Sequence, residues 1–457
     1  MEKTLNKENG EDRLPRGYIP AWATRSISLA VNTMLLMQVT YYATEVVGLG
    51  AAVVGTLLLA ARLFDGVTDF GVGFIIDRTK TRFGKARPYE LAIIPLWLCT
   101  ILLYSTPNIG NTGKMIYFFV FYSLISAVCA TILYGSEAVY LGRSLSGNVR
   151  RAKVLALSGL FVMIISAVCS MFLPRLMALW GDEPGGWTRI SLVYGIPLGI
   201  IGLVRFIFIK ETNVDEAAES RGGKMRLGEI FRALVKNKYI FIFSTVVLIT
   251  NIINSMTSGV TAYFFTYIIG DLSLMGVIAM LGLFTPFVLL LFPLAMKKIG
   301  GTNFVRIGFF MALIGNVLKF IGGTNLPLII TGSLLAGVGA NFVLMMSGLF
   351  YLDCMDYGEW KTGKRLEGVL NSVGSFASKL GGGVAAAAVG FFMSAAGYDG
   401  AAAIQPAAAL SSITALFSII PAVLCAILLI MMRFYDLDKK LPQIREELAA
   451  GKNAVSQ

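Results

Sequence analysis

The sequence predicts an all-α polytopic membrane protein of about twelve transmembrane helices in two six-helix bundles. Three observations predict it. Of the 457 residues, 56% are hydrophobic and only 14% charged, whereas soluble domains hold about 45–50% apolar and about 25% charged residues. Too few charges remain to clothe a soluble core of this length. The apolar residues fall in runs long enough for a bilayer, which needs about 20 per helix. The basic residues gather in alternate loops between those runs.

Read in order, the runs lie at roughly 22–45, 50–76, 90–107, 114–141, 154–180, 189–209, 239–269, 273–296, 303–322, 326–352, 368–396 and 409–433. One set of loops carries Arg13 and Arg16, then Arg78 to Arg87, then Arg143 to Lys153, Lys297 and Lys298, and Lys361 to Arg365. The other set has little beyond Lys114, Arg175 and Arg189. By the positive-inside rule both termini are cytoplasmic and the number of spans is even. Residues 1–17 are polar and carry no apolar signal core, so the first span is expected to target the chain, as a monomer, to the plasma membrane.

Composition also excludes classes. The net charge of +12 is loop charge, so no nucleic-acid partner is implied. There are no histidines, which removes imidazole metal sites and relays. Cys99, Cys129, Cys169, Cys354 and Cys425 show no metal or redox spacing. No nucleophile motif suggests an enzyme, and no bound cofactor is expected.

The longest internal polar segment, 210–238, divides the chain into an N-terminal six-span part (1–209) and a C-terminal one (239–457). Within it, Leu227, Ile230, Phe231, Leu234 and Val235 share a helical face. That fits either a surface helix or a solvated linker. Twelve spans with a central loop is the layout of major facilitator carriers, a layout other carriers share. The two parts show little obvious sequence repetition.

A charged side chain deep in hydrocarbon costs roughly 2.5–3.5 kcal/mol by insertion scales, so those within the runs call for a reason. Arg62, Asp65 and Asp69 lie three and four residues apart, on one helical face. Two such carboxylates repel unless a cation or basic group sits between them. Carboxylates with a hydroxyl such as Thr68 make a set for a hard cation; an Arg62–Asp65 structural lock is the alternative. Lys379 lies about 16 Å into its span at 1.5 Å per residue, among Ser375, Ser378 and Gly381 to Gly383, too deep for easy snorkelling. Glu137 reads as structural or gating. Lys319 reads as a snorkelling residue. "DRTKTRFGKARP" (77–88) reads as a gating loop through Asp77, Arg82, Lys85 and Arg87.

Four stretches together resemble the glycoside–pentoside–hexuronide:cation symporters, the melibiose carrier group of the major facilitator superfamily. They are "YYATEVVGLGAAVVGTLLLAARLFDGVTD" (41–69), "DRTKTRFGKARP", "KNKYIF" (236–241) and "DCMDYGEWKTGKRLEG" (353–368), the last followed by Lys379. The family's usual proline after the second aspartate is Phe70 here. The resemblance implies the major facilitator fold and uptake of a sugar-like solute coupled to Na⁺ or H⁺. It places the cation at Asp65, Asp69 and Thr68, with Arg62 and Lys379 in coupling.

The acids and arginine that bind galactoside in such carriers fall, without gaps, at Leu29 or Arg25, at Thr131, and at Ser158 or Gly159. Galactoside recognition is therefore absent, and the remaining candidate solute contacts are Asn32, Thr131, Ser375 and Arg25. Arg25 reads either as a marker of the membrane edge or as an attractor for a solute carboxylate. A carrier of an amphipathic, lysolipid-like solute and a non-transporting receptor are the competing readings.

Overall fold

A computed structural model describes residues 14–79, 81–212, 237–281, 299–362, 367–402 and 404–455. Among these residues the only extended pairing is an isolated bridge between Thr81 and Gly84; the rest is helix and connection. The helices are α1 (Tyr18–Leu36), α2 (Ala51–Arg78), α3 (Ile93–Leu103), α4 (Asn111–Ser144), α5 (Asn148–Trp180), α6 (Gly186–Phe208), α7 (Lys238–Ile269), α8 (Met275–Leu281), α9 (Gly301–Gly322), α10 (Leu326–Thr362), α11 (Glu367–Ala395), α12 (Ala407–Met431) and α13 (Leu437–Val455). Among the described residues, eight helices are long and apolar enough to cross a membrane: α4 to α7 and α9 to α12. Helices α1, α2 and α3 occupy the first three expected spans. The expected eighth span is seen only at α8, and its remainder, like the Leu227–Val235 face of the linker, lies outside the described residues.

By contacts the chain separates into two compact units. The first comprises 1–50, 60–220 and 271–286, the second 51–59, 221–270 and 287–457. The first turns of α2 thus group with the C-terminal helices, and α8 groups with the N-terminal ones. In the first unit α1 packs on α5 and α6, α3 on α6, and α8 on α5. Pro174 lies inside α5 and Pro197 inside α6, each without the N–H that an interior helical residue donates.

In the second unit α9 packs along α10 and α7 along α11. Lipid tails are as apolar as leucine, so these contacts depend on close approach of small residues. A Cβ on Gly308 would lie 2.8 Å from the Gly339 carbonyl oxygen, and Gly315 meets Gly332 in the same way two turns on. Asn237 caps α7, its side chain accepting from Tyr239 N at 3.2 Å and Ile240 N at 3.3 Å. Tail helix α13 lies on α10 through buried Leu437, Leu441 and Ile444. Arg445 adds bonds to Asp353 at 3.0 Å and Asp356 at 2.9 Å.

Several helices contain a π-helical turn. Two of these turns correct the impression that the chain does not repeat. The turn Tyr42–Val46 continues α1 and ends at Gly48 with φ of 76°. The turn Phe265–Ile269 closes α7 and ends at Gly270 with φ of 82°. Their sequences, "YYATEVVG" (41–48) and "YFFTYIIG" (263–270), share the tyrosine, an aromatic, the threonine, a branched pair and a glycine that the left-handed conformation favours.

Candidate functional site

The predicted cation residues come together in the first unit. Asp65 is buried to 1% exposure. Arg62, one turn earlier on α2, places Nη1 3.6 Å from Asp65 Oδ2. The Thr131 hydroxyl of α4 donates to Asp65 Oδ1 at 2.8 Å and shares its proton with the Ser126 carbonyl at 3.1 Å. That second acceptor is five residues back, within the π-helical segment Leu124–Ala130 that immediately precedes Thr131. π turns recur at functional sites. Thr68 donates to the Asp65 carbonyl at 3.0 Å, which leaves its oxygen lone pairs for another partner. Asp69 is half-buried one turn beyond. The Asp65 carboxylate and the Thr131 hydroxyl thus meet, and oxygen donors of this kind suit a hard cation.

The structure reassigns several solute candidates. Thr131 stood at the expected position of a sugar-binding acid; its hydroxyl is spent on Asp65 instead. Asn32, 1% exposed, donates to Thr100 at 2.7 Å. Arg25 does not face open space. It is 1% exposed, pairs with Glu137, approaches Glu90 at 3.5 Å and donates to the Leu133 carbonyl at 3.1 Å. Arg205 completes this network, 3.6 Å from Glu90 and 3.1 Å from Glu137, with its guanidinium 3.4 Å over the Trp22 ring. Two arginines and two glutamates balance, tying α1, α4, α6 and the turn before α3. Glu137 is therefore structural. The same rule that flagged Arg62 also points to Glu90 and Arg205, since both stand inside apolar runs.

Lys319 does not snorkel. It is 2% exposed, donates to the Phe417 carbonyl at 2.8 Å and lies 4.3 Å over the Phe417 ring. The acceptor belongs to the π turn Ala415–Ile419 of α12. Lys379 is half-buried on α11. The side chains of Ser375 and Asp77 lie outside the described ones.

The expected gating loop is built around a residue that sequence reasoning missed. Glu211 accepts backbone N–H bonds from Lys85 at 2.9 Å, Ala86 at 2.7 Å and Arg87 at 2.8 Å, and one from Arg143 Nε at 2.8 Å. Burial raises its pKa, but the backbone donors and Arg143 outweigh that and hold it below its ordinary value. Gly84, at φ 118°, allows the approach: a Cβ there would sit 2.5 Å from the Glu211 carboxyl carbon. Arg87 donates to the Phe206 carbonyl from Nε at 2.9 Å and Nη2 at 2.7 Å. Arg82 lies over the Phe83 ring at 4.7 Å.

Fold and site together define a multi-pass membrane carrier rather than an enzyme. The chain belongs to the MFS/sugar transport protein family, which matches residues 18–439, and within it to the glycoside–pentoside–hexuronide:cation symporters. It is 30% identical to the isoprimeverose transporter of Lactiplantibacillus pentosus, over 94% of this chain and 90% of the relative. It is 29% identical to the inner membrane symporter YicJ of Escherichia coli (strain K12), covering 93% and 92%. Identity to the glucuronide carrier protein homolog of the same organism is 26%, covering 96% of each. A bacterial homologue of the human lysosomal transporter Spinster shares the fold, with a TM-score of 0.69 at 14% identity, covering 94% of this chain and 98% of that one.

Proposed function

We propose that this chain imports a sugar-like solute by cation-coupled symport, with Na⁺ or H⁺ as the coupling ion. It would work by alternating access in the plasma membrane, with both termini in the cytoplasm. The observation that carries the reading is the meeting of Asp65 with Thr131 and Arg62, with Asp69 one turn on. Names of relatives, a glycoside carrier and a symporter among them, support the solute class and the coupling.

Asp65 and Asp69 supply the charge for the cation, and the Thr131 and Thr68 oxygens complete its shell. Arg62 partly offsets the carboxylates when the ion is absent, and Lys379 is the other candidate coupling residue. Each ligand raises the affinity for the other by one factor, equal in both directions. Vesicles with an imposed Na⁺ or pH gradient test this: Asp65→Asn and Asp69→Asn are expected to abolish gradient-driven uptake at normal surface expression. Uptake unchanged in both variants contradicts it.

A further inference from the structure

The second unit holds a recess of about 210 Å³ between α7, α10 and α11. Its polar lining is Thr250, Asn251, Ser347, Tyr351 and Ser378, and valine and leucine side chains form the rest of the wall with Gly374. We propose that this recess recognises the transported solute and takes one uncharged, hydroxylated ring. The inference rests on the sugar-symport reading and deepens it.

Size is the first argument. Pockets for drug-sized ligands run to about 300–1,000 Å³, so this space suits a single ring. The second is hydrogen-bond chemistry. Thr250 donates to the Val246 carbonyl at 2.8 Å, Ser347 to the Leu344 carbonyl at 2.6 Å, and Ser378 to Asn251 Oδ1 at 2.9 Å. Each hydroxyl has used its proton and keeps lone pairs that accept. Asn251 gives one N–H to the Val247 carbonyl at 2.8 Å and has a second. The buried Tyr351 hydroxyl has no hydrogen-bond partner among the described residues. Acceptors and donors in one small space match sugar hydroxyls, each of which both donates and accepts.

The third argument is charge. Among the described residues no acidic or basic side chain lines the recess. Lys379 follows Ser378 in the chain and is not part of the lining. A carboxylate or sulfonate seated here would lose its water without gaining a counter-charge, so a uronide group is excluded from this position. The fourth is shape. A Cβ on Gly374 would lie 2.6 Å from Tyr351 Cζ, so the glycine allows the phenol ring to rest against α11. Any larger residue would drive that ring from its place. The N-terminal positions Leu29, Ser158 and Gly159 carry no sugar-binding charge, which fits recognition placed in the C-terminal unit.

Calorimetry on the purified full-length protein in saturating Na⁺ tests the proposal. The probes are methyl β-D-xylopyranoside, methyl β-D-glucopyranoside and methyl β-D-glucuronide. At least one neutral glycoside is expected to bind more tightly than the glucuronide. Tyr351→Phe should weaken it about tenfold, the loss of one hydrogen bond, and Gly374→Ala at least as much. A melting curve checks that each variant is folded. A Ser347→Cys variant gives a second reading that tolerates a poorly folded Gly374→Ala: thiol labelling at that position should slow when glycoside is bound. Equal affinity in wild type, Tyr351→Phe and Gly374→Ala, preference for the glucuronide, or labelling that ignores the glycoside each overturns the recess. If no probe binds wild type at all, the sugar reading itself falls, and the recess with it.

Discussion

The two units of this carrier handle polarity in opposite ways. The first buries charge: Asp65 beside Arg62 and Thr131, and Arg25 and Arg205 against Glu90 and Glu137. The second has a recess of hydroxyls and one amide, with no charged lining among the described residues. Buried Lys319 is its contrast case, met by a carbonyl and a ring face rather than an acid. The proposed ligands would account for the difference. An ion in low dielectric needs formal charge, whereas a sugar hydroxyl is read by neutral donors and acceptors that discriminate through what is left unpaired. One chain can thus hold the ion with one unit and select the solute with the other.

The largest expected effect comes from removing the ion's charge. Asp65→Asn keeps the side chain's shape and should reduce Na⁺-driven accumulation at least tenfold, measured in vesicles against immunoblotted protein. Thr131→Val removes a neutral ligand and should cost less in the same assay. A Thr131→Val loss exceeding that of Asp65→Asn would break the assignment of ion charge to the first unit.

Next is the buried network. Arg205→Met leaves Glu90 and Glu137 short of a partner, and breaking such a pair costs about 3–5 kcal/mol. The melting temperature in detergent should fall steeply. Adding Glu137→Gln to Arg205→Met should recover part of the loss, because it removes the uncompensated carboxylate. An unchanged melt in Arg205→Met would show that the network does not bind its helices.

Glu211 gives a smaller, pH-dependent effect. Its folded pKa is depressed, so its stabilisation is fully present above the ordinary value of 4.5 and is lost as pH falls through the folded pKa. Glu211→Gln should therefore lower the melting temperature at pH 7, and the gap to wild type should close in acid below 4.5. A gap that is constant with pH contradicts the carboxylate cradle. The smallest effect belongs to the tail helix: Arg445 is largely exposed, and surface pairs contribute about 0–1 kcal/mol. Arg445→Ala should shift the melt slightly, and less in high salt.

Most of the fold was legible in the sequence because long apolar runs and loop charge are local signals. The Asp65–Asp69 pair was legible for the same reason, since a four-residue spacing fixes a shared helical face. The bond from Thr131 to Asp65 was not legible because the two lie 66 residues apart in the chain. The pairing of Arg25 was not legible because Glu90 and Glu137 lie 65 and 112 residues away in the chain, and sequence spacing carries no such pairing. Glu211 looked like one more linker charge; only the fold brings the 84–87 backbone around it. The recess left no trace, since Thr250, Asn251, Ser347 and Ser378 are ordinary residues within apolar helices.

Paired titrations test the division of labour most directly. Na⁺ and the bound neutral glycoside are each titrated calorimetrically, alone and in the presence of the other, into wild type, Asp65→Asn and Tyr351→Phe. In wild type each ligand should tighten the other by the same factor. Asp65→Asn should lose Na⁺ binding and the coupling together. Tyr351→Phe should weaken the glycoside about tenfold while solute-free protein binds Na⁺ with the wild-type midpoint. Full Na⁺ affinity in Asp65→Asn, or loss of Na⁺ binding in solute-free Tyr351→Phe, would contradict a carrier that holds its ion in one unit and reads its solute in the other.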